Sequence, residues 1–126
     1  MSLKAYFEKT KGFGVLATAS SDGAVDVAVY ARPHVVDEET VAFIMADRLS
    51  HKNLKSNPHA AYLFREEVAG HVGKRLHLTM VKEETDSGKI QALRRLRTPI
   101  ACEPEKGEVR YLVTFHVDLV LPLVGS

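Results

Sequence analysis

A chain of 126 residues that is 45% hydrophobic and 26% charged, with eight glycines and five prolines, has the composition of one globular domain over 1–126 and excludes disordered, collagenous and low-complexity classes. Seventeen Lys and Arg against sixteen Asp and Glu leave a net charge of +1, too little for a global pull toward nucleic acid or an anionic membrane, so any anion site must be local. The single cysteine, Cys102, excludes an intrachain disulfide and fits a reducing compartment, and no apolar run approaches the roughly 18 residues that span a bilayer. A cytoplasmic protein is expected, because Glu8, Lys9 and Lys11 interrupt any signal-like apolar region ahead of Ala17-Thr18-Ala19.

Leu3, Tyr6 and Phe7 recur at near-helical spacing and predict a short amphipathic helix over residues 3–10, lidding one end of the core. A first strand from Phe13 to Ser20 is followed by Ser21-Asp22-Gly23, a turn in which Gly23 supplies the φ freedom of a hairpin. In the second strand Val25, Val27, Val29, Ala31 and Val35 share one face, expected to be core, while Asp26, Tyr30, Arg32 and His34 share the polar one. Asp37-Glu38-Glu39 turns the chain into a third strand from Thr40 to Ala46. A short helix is expected within 47–57, with Ser50 as its N-cap and Asn57-Pro58 as its stop. Ala60 to Phe64 predicts a fourth strand, and Leu76, Leu78 and Met80 alternating with polar residues predict a fifth. Ile90, Leu93 and Leu96 mark a helix over 86–97, with Arg94, Arg95 and Arg97 off its apolar face; 101–108 is a polar loop, and Val109 to Leu119 alternate as a long final strand. Strand-helix-strand alternation does not recur, so an antiparallel barrel or strongly bent sheet is expected.

Several motif readings fail. Gly12-Phe13-Gly14 has a dinucleotide-fingerprint spacing, but the strand follows the glycines instead of preceding them. Near Gly73-Lys74 the first glycine and the Ser or Thr of a phosphate loop are replaced by Val68 and Arg75. The six histidines lack the spacings that place two ligands on one helical face, so no metal is expected. No nucleophile elbow exists, and Cys102 sits beside Glu103 and Glu105, where a thiolate is disfavoured.

Ser50-His51-Lys52-Asn53 lies where the third strand hands over to a helix, a place where free N–H groups and the positive end of the helix dipole collect. Two readings are open: a solvated turn whose lysine points to water, or an anion site in which a phosphate gathers amides, hydroxyl and ammonium. Arg32 and Tyr30, one hairpin upstream, are placed to bring a guanidinium and an aromatic ring to the same region.

The succession Gly14-Val15-Leu16-Ala17-Thr18, Asp22-Gly23, Phe43-Ile44-Met45, Ser50-His51-Lys52-Asn53-Leu54 and Asn57-Pro58-His59-Ala60-Ala61-Tyr62-Leu63 resembles the FMN-binding split-barrel family, also called pyridoxamine 5′-phosphate oxidase-like. The resemblance runs continuously from Phe13 to Phe64. It implies a mainly β fold, a six-stranded antiparallel split β-barrel with two or three peripheral helices, and a homodimer holding FMN between its subunits. It further implies that Ser50 and Lys52 contact the FMN phosphate, with His51, Asn53 and Arg32 nearby, and that backbone at Tyr30, Ala31, Met45 and Ala46 lines the ring. Arg75 and His77 read as outer-face residues of their strand, with the partner's flavin as the alternative. The vitamin B6 oxidase of that family ends in a Trp-containing segment with an Arg-Leu-His-x-Arg pattern; this chain has no tryptophan, and Leu78 and Thr79 follow its Arg75-Leu76-His77. The implied function is therefore a small flavin oxidoreductase or electron carrier with a small-molecule or protein redox partner. Alternatives are a deazaflavin protein, a haem protein using His51, His77 or His116, and a cofactor-free dimeric binding protein.

Overall fold

A computed structural model describes residues 2–97 and 109–125, with the backbone alone at 95–97. In chain order the elements are α1 (Leu3–Lys9), β1 (Gly12–Ala19), β2 (Val25–Val29), β3 (His34–Asp37), β4 (Thr40–Ala46), α2 (Leu49–Ser56), β5 (His59–Glu66), β6 (Gly73–Glu84), α3 (Ser87–Arg97) and β7 (Arg110–Pro122). The loop expected at 101–108, Cys102 and the side chains of Arg95, Leu96 and Arg97 lie outside the described residues.

All strand pairings are antiparallel, and the sheet order is β2-β1-β5-β6-β7-β4-β3. Its two edge strands, β2 and β3, are consecutive in sequence and joined only by residues 30–33. Such a link spans at most about 18 Å from Val29 to His34, so the sheet must curl until its edges nearly meet. The result is a barrel left open along one seam, bridged by Tyr30, Ala31, Arg32 and Pro33. Seven strands appear where six were expected because the predicted second strand breaks at this bridge. Pro33, buried, has no N–H to donate to a ladder.

The core fills the curl. Phe7, Leu16, Phe43, Tyr62, Phe64, Leu76 and Phe115 are all at most 2% exposed. Phe43 packs tilted against Tyr62 at 4.9 Å and Phe7 edge-on to Phe64 at 5.3 Å, each pair adding about 1 kcal/mol beyond area burial. Helix α1 closes one end as predicted: Ser2 accepts from the Ala5 N–H as N-cap, and Leu3, Tyr6 and Phe7 face inward. At its other end Arg32 Nη1 donates to the Phe7 and Thr10 carbonyls at 2.8 and 3.1 Å, satisfying oxygens the helix itself leaves open.

The face assignment of the second strand is reversed. Val25, Val27 and Val29 are 81%, 67% and 68% exposed, whereas Asp26, Ala28 and Tyr30 turn inward beside α2. β2 is an edge strand whose odd face has no layer over it within one chain. Beyond the bridge, Val35 does pack against the core.

Candidate functional site

A cleft of about 410 Å³ opens along the seam of the barrel. One wall comes from β2 and the bridge, with Asp26, Ala28, Val29, Tyr30 and Ala31. The facing wall comes from the end of β4, Ile44, Met45 and Ala46, and from the corner into α2, Arg48, Leu49 and Ser50. Arg110 completes it from the start of β7, where the register pairs it with Ala46.

The bridge is held from beneath. The Tyr62 hydroxyl on β5 lies 3.1 Å from both the Tyr30 and the Ala31 carbonyl oxygens, and the Tyr30 N–H donates to the Gly14 carbonyl at 3.0 Å. Gly14 makes this possible: a Cβ there would collide with the Tyr62 hydroxyl and come within 2.7 Å of the Tyr30 carbonyl oxygen. The absence of a side chain at 14 is thus a steric requirement of the site, not a turn requirement.

Charge in the cleft is mixed. Arg48 and Arg110 oppose Asp26, and all three act on the Tyr30 phenol. Burial pushes that phenol above its ordinary value, and the Ser50 hydrogen bond and the two arginines offset only part of the shift. Tyr30 is therefore a protonated, half-buried donor at neutral pH, its ring edge-on to Phe43 at 5.9 Å.

Two smaller hollows adjoin. One of about 170 Å³ is lined by Tyr30, Ala31, Arg32, His34, Phe43, Ile44, Arg94 and Arg110, and another of about 220 Å³ lies against α3. Arg110 lines all three spaces.

No family model matches the chain, and no curated protein matches it in sequence. Solved structures do match in shape. An FMN-binding protein from Syntrophomonas wolfei superposes with a TM-score of 0.76 at 14% identity, over 98% of this chain and 84% of its own. An F420 reductase gives a TM-score of 0.76 at 16% identity, over 96% and 98%. A Clostridium acetobutylicum protein related to general stress protein 26, of the pyridoxinephosphate oxidase family, gives 0.64 at 11% identity, over 92% and 82%. The chain has the same split-barrel fold as these proteins. At these identities the likeness is one of fold.

On this split barrel, Tyr30, Ala31, Met45, Ala46 and Ser50 come together in the cleft, and four predicted residues do not line it. Arg32 lines the neighbouring hollow and is anchored to α1. His51 is fully buried, with Nδ1 2.9 Å from Asp47, Nε2 2.5 Å from Glu83, and its ring stacked on Tyr111 at 3.9 Å. Asn53 is buried and donates to Thr18 Oγ1 at 3.1 Å. Lys52 is exposed. Ser50 is not the N-cap: Arg48 holds that position in extended conformation, with no side-chain cap hydrogen bond, and Ser50 is the second residue of α2. His51, His77 and His116 all lie away from the cleft lining, and both ring nitrogens of His51 already face carboxylates.

Cleft residues that the sequence did not single out as site residues are Asp26, Ala28, Val29, Ile44, Arg48, Leu49 and Arg110. Asp26 carried a signal, since it shares strand parity with Tyr30. Arg110 carried none, because its place depends on a pairing between β4 and β7 more than 60 residues apart in sequence.

Proposed function

We propose that this split barrel binds a flavin, FMN, in the seam cleft and acts in redox chemistry as a homodimer. The observation that carries the reading is the cleft itself: about 410 Å³, within the ordinary range of roughly 300–1,000 Å³ for ligand sites, with Arg48 and Arg110 in its lining and residues of β2 and β4 on facing walls. Arg48 and Arg110 are assigned to the phosphate, with Ser50 beside them, and Ala28, Tyr30, Ala31, Met45 and Ala46 to the faces and rim of the ring. A bound flavin supplies one- or two-electron transfer; the protein supplies position, exclusion of water and the Tyr30 hydroxyl as a donor.

Support for the dimer comes from the valine face of β2. Val25, Val27 and Val29 are joined across β1 and β5 by Val15, Ala17, Ala61 and the partly exposed Leu63, an apolar strip that a second copy would cover. A deazaflavin is the second reading, favoured by the TM-score of 0.76 to an F420 reductase.

The test is titration of the purified protein with FMN, followed by absorbance and flavin fluorescence. Arg48→Gln is expected to weaken binding by about tenfold or more, the range of a charge-assisted contact, and Lys52→Ala by less than about threefold. Equal losses in both variants would return the phosphate to the first turn of α2.

A further inference from the structure

We propose that His51 is a positioning residue for the cleft, and that its second ring proton sets ligand affinity by holding the corner between β4 and α2. The ring is fully buried, with Nδ1 2.9 Å from Asp47 Oδ1 and Nε2 2.5 Å from Glu83 Oε2. A neutral imidazole has one N–H and one lone pair, and an ionised carboxylate only accepts, so the two contacts need two protons between them. Both belong to the ring: its face lies on Tyr111 at 3.9 Å, an arrangement that favours a cation, and both carboxylates keep contact with water. Asp47 and His51 are four residues apart, and the bond between them closes over Arg48, Leu49 and Ser50, the three residues that this corner gives to the cleft lining. Ser50 carries the restraint to the opposite wall through its hydrogen bond with Tyr30.

An irregularity in β6 brings Glu83 to the ring. Leu76 and Leu78 face the core, and strict alternation would turn Lys82 and Glu84 the same way. The register shifts between Met80 and Lys82, so Glu83 falls opposite Val113, on the side of Tyr111 and the main core, while Glu84 falls opposite Leu112 and pairs with Lys89 of α3. The titratable groups around His51 are thus Asp47 ahead of α2, Glu83 from β6 and Tyr111 from β7, with Lys55 of α2 6.0 Å from the Tyr111 ring. β1 and β4, also packed on α2, bring no titratable side chain; β2 brings Asp26, which lines the cleft with Arg48 and Arg110. When the ring gives up a proton, a lone pair faces a carboxylate and that contact turns from attractive to repulsive. The corner then loses its tie to Asp47 or to β6. The effect on the ligand rests on the flavin reading; the proton-dependent tie does not.

FMN is titrated into the whole protein across a pH series, with the His51 ring nitrogens followed by nitrogen NMR in the same samples. Where affinity is highest both nitrogens are expected to carry protons, and affinity should fall by about fivefold or more in step with the loss of one of them. In Glu83→Gln, which removes the charge and keeps an acceptor, that fall should move to lower pH together with the ring titration, and in His51→Gln it should vanish. The titration of the FMN phosphate itself is common to all three proteins and cancels in their affinity ratios. A ring neutral throughout the series, an affinity that ignores the ring proton, or an unchanged profile in Glu83→Gln overturns the proposal, whether or not His51→Gln folds. Failure to take up FMN contradicts the flavin reading, and the Lys52 amide, which donates to the Arg48 carbonyl at 3.0 Å, then decides the tie. Its protection from hydrogen exchange must fall as the ring loses the proton, and constant protection overturns the tie.

Discussion

The Tyr62 hydroxyl is the point at which the barrel core reaches the site. It lies within hydrogen-bond distance of the carbonyls of Tyr30 and Ala31, the first two residues of the bridge, and it reaches them only because residue 14 has no side chain. Gly14→Ala forces the bridge or the Tyr62 ring to move and is expected to cost about 1–3 kcal/mol in urea unfolding, the range for overpacking. Tyr62→Phe keeps the ring and deletes the one O–H that the two carbonyls share, at a cost of about 1–3 kcal/mol. Both substitutions should also lower ligand affinity in the cleft, because the bridge forms one of its walls; intact stability and affinity in both would dissociate Tyr62 from the site. Tyr62 and Gly14 stood within the stretches of sequence that resembled the family, but their contact with each other is not periodic and could not be read from the chain. Nor could the use of Arg32: a lone arginine on a polar strand face gives no sign that it will cap a helix 22 to 25 residues upstream.

At the level of elements, what was legible depended on how local the cause was. β4 has the bounds Thr40–Ala46 in both readings, because an apolar run between an acidic turn and a polar segment is a local signal. The face of β2 was misread because strand parity states which residues share a side and not which side is covered; that is decided by β2 lying at a sheet edge. α2 was located but its anchoring was not: it is fixed through His51 and Asn53, two residues whose types suggested ligand contact. On the outer sheet face, β5, β6 and β7 are linked by a chain of side chains. Asp118 accepts from Thr79 Oγ1 at 2.6 Å and pairs with His116 Nδ1 at 2.8 Å, while Thr79 Oγ1 lies 3.3 Å from His59 Nδ1. The Asp118 hydrogen bond holds His116 above its ordinary value of 6.5, and hydrogen bonds from Thr79 and then His116 hold Asp118 below 3.8. A raised histidine contributes stability that is complete below 6.5 and lost as pH rises through its folded value; a lowered aspartate contributes above 3.8 and loses it as pH falls through its folded value. Urea midpoints on the two sides of pH 6.5 should therefore fall toward the alkaline side, and Asp118→Asn should remove that part of the slope and return His116 toward its ordinary titration by NMR. A slope unchanged in Asp118→Asn would assign the pH dependence elsewhere.

For the whole molecule, the class of fold was legible and its closure was not. Alternating strands without recurrent strand-helix-strand units pointed to an antiparallel barrel, but the seam exists because β2 and β3 are sheet edges joined by four residues, a property of pairing order. The same topology leaves the β2 valines bare, and the proposed dimer follows from that face. Val27→Lys places a charge in the middle of the strip and should shift the protein to monomer in light scattering while its circular dichroism is unchanged. A monomeric wild type, with and without FMN, would contradict the dimer.

The central claim is that the seam cleft holds a flavin through Arg48 and Arg110. Its most direct test is the absorbance spectrum of the freshly purified protein, with mass identification of any released chromophore and FMN titration of the apoprotein and of Arg48→Gln. A yellow protein that releases FMN, or a colourless one that takes it up saturably and loses about tenfold or more in affinity in the variant, is the predicted result. A protein that carries no flavin and binds none, or that binds FMN equally well without Arg48, would contradict the account.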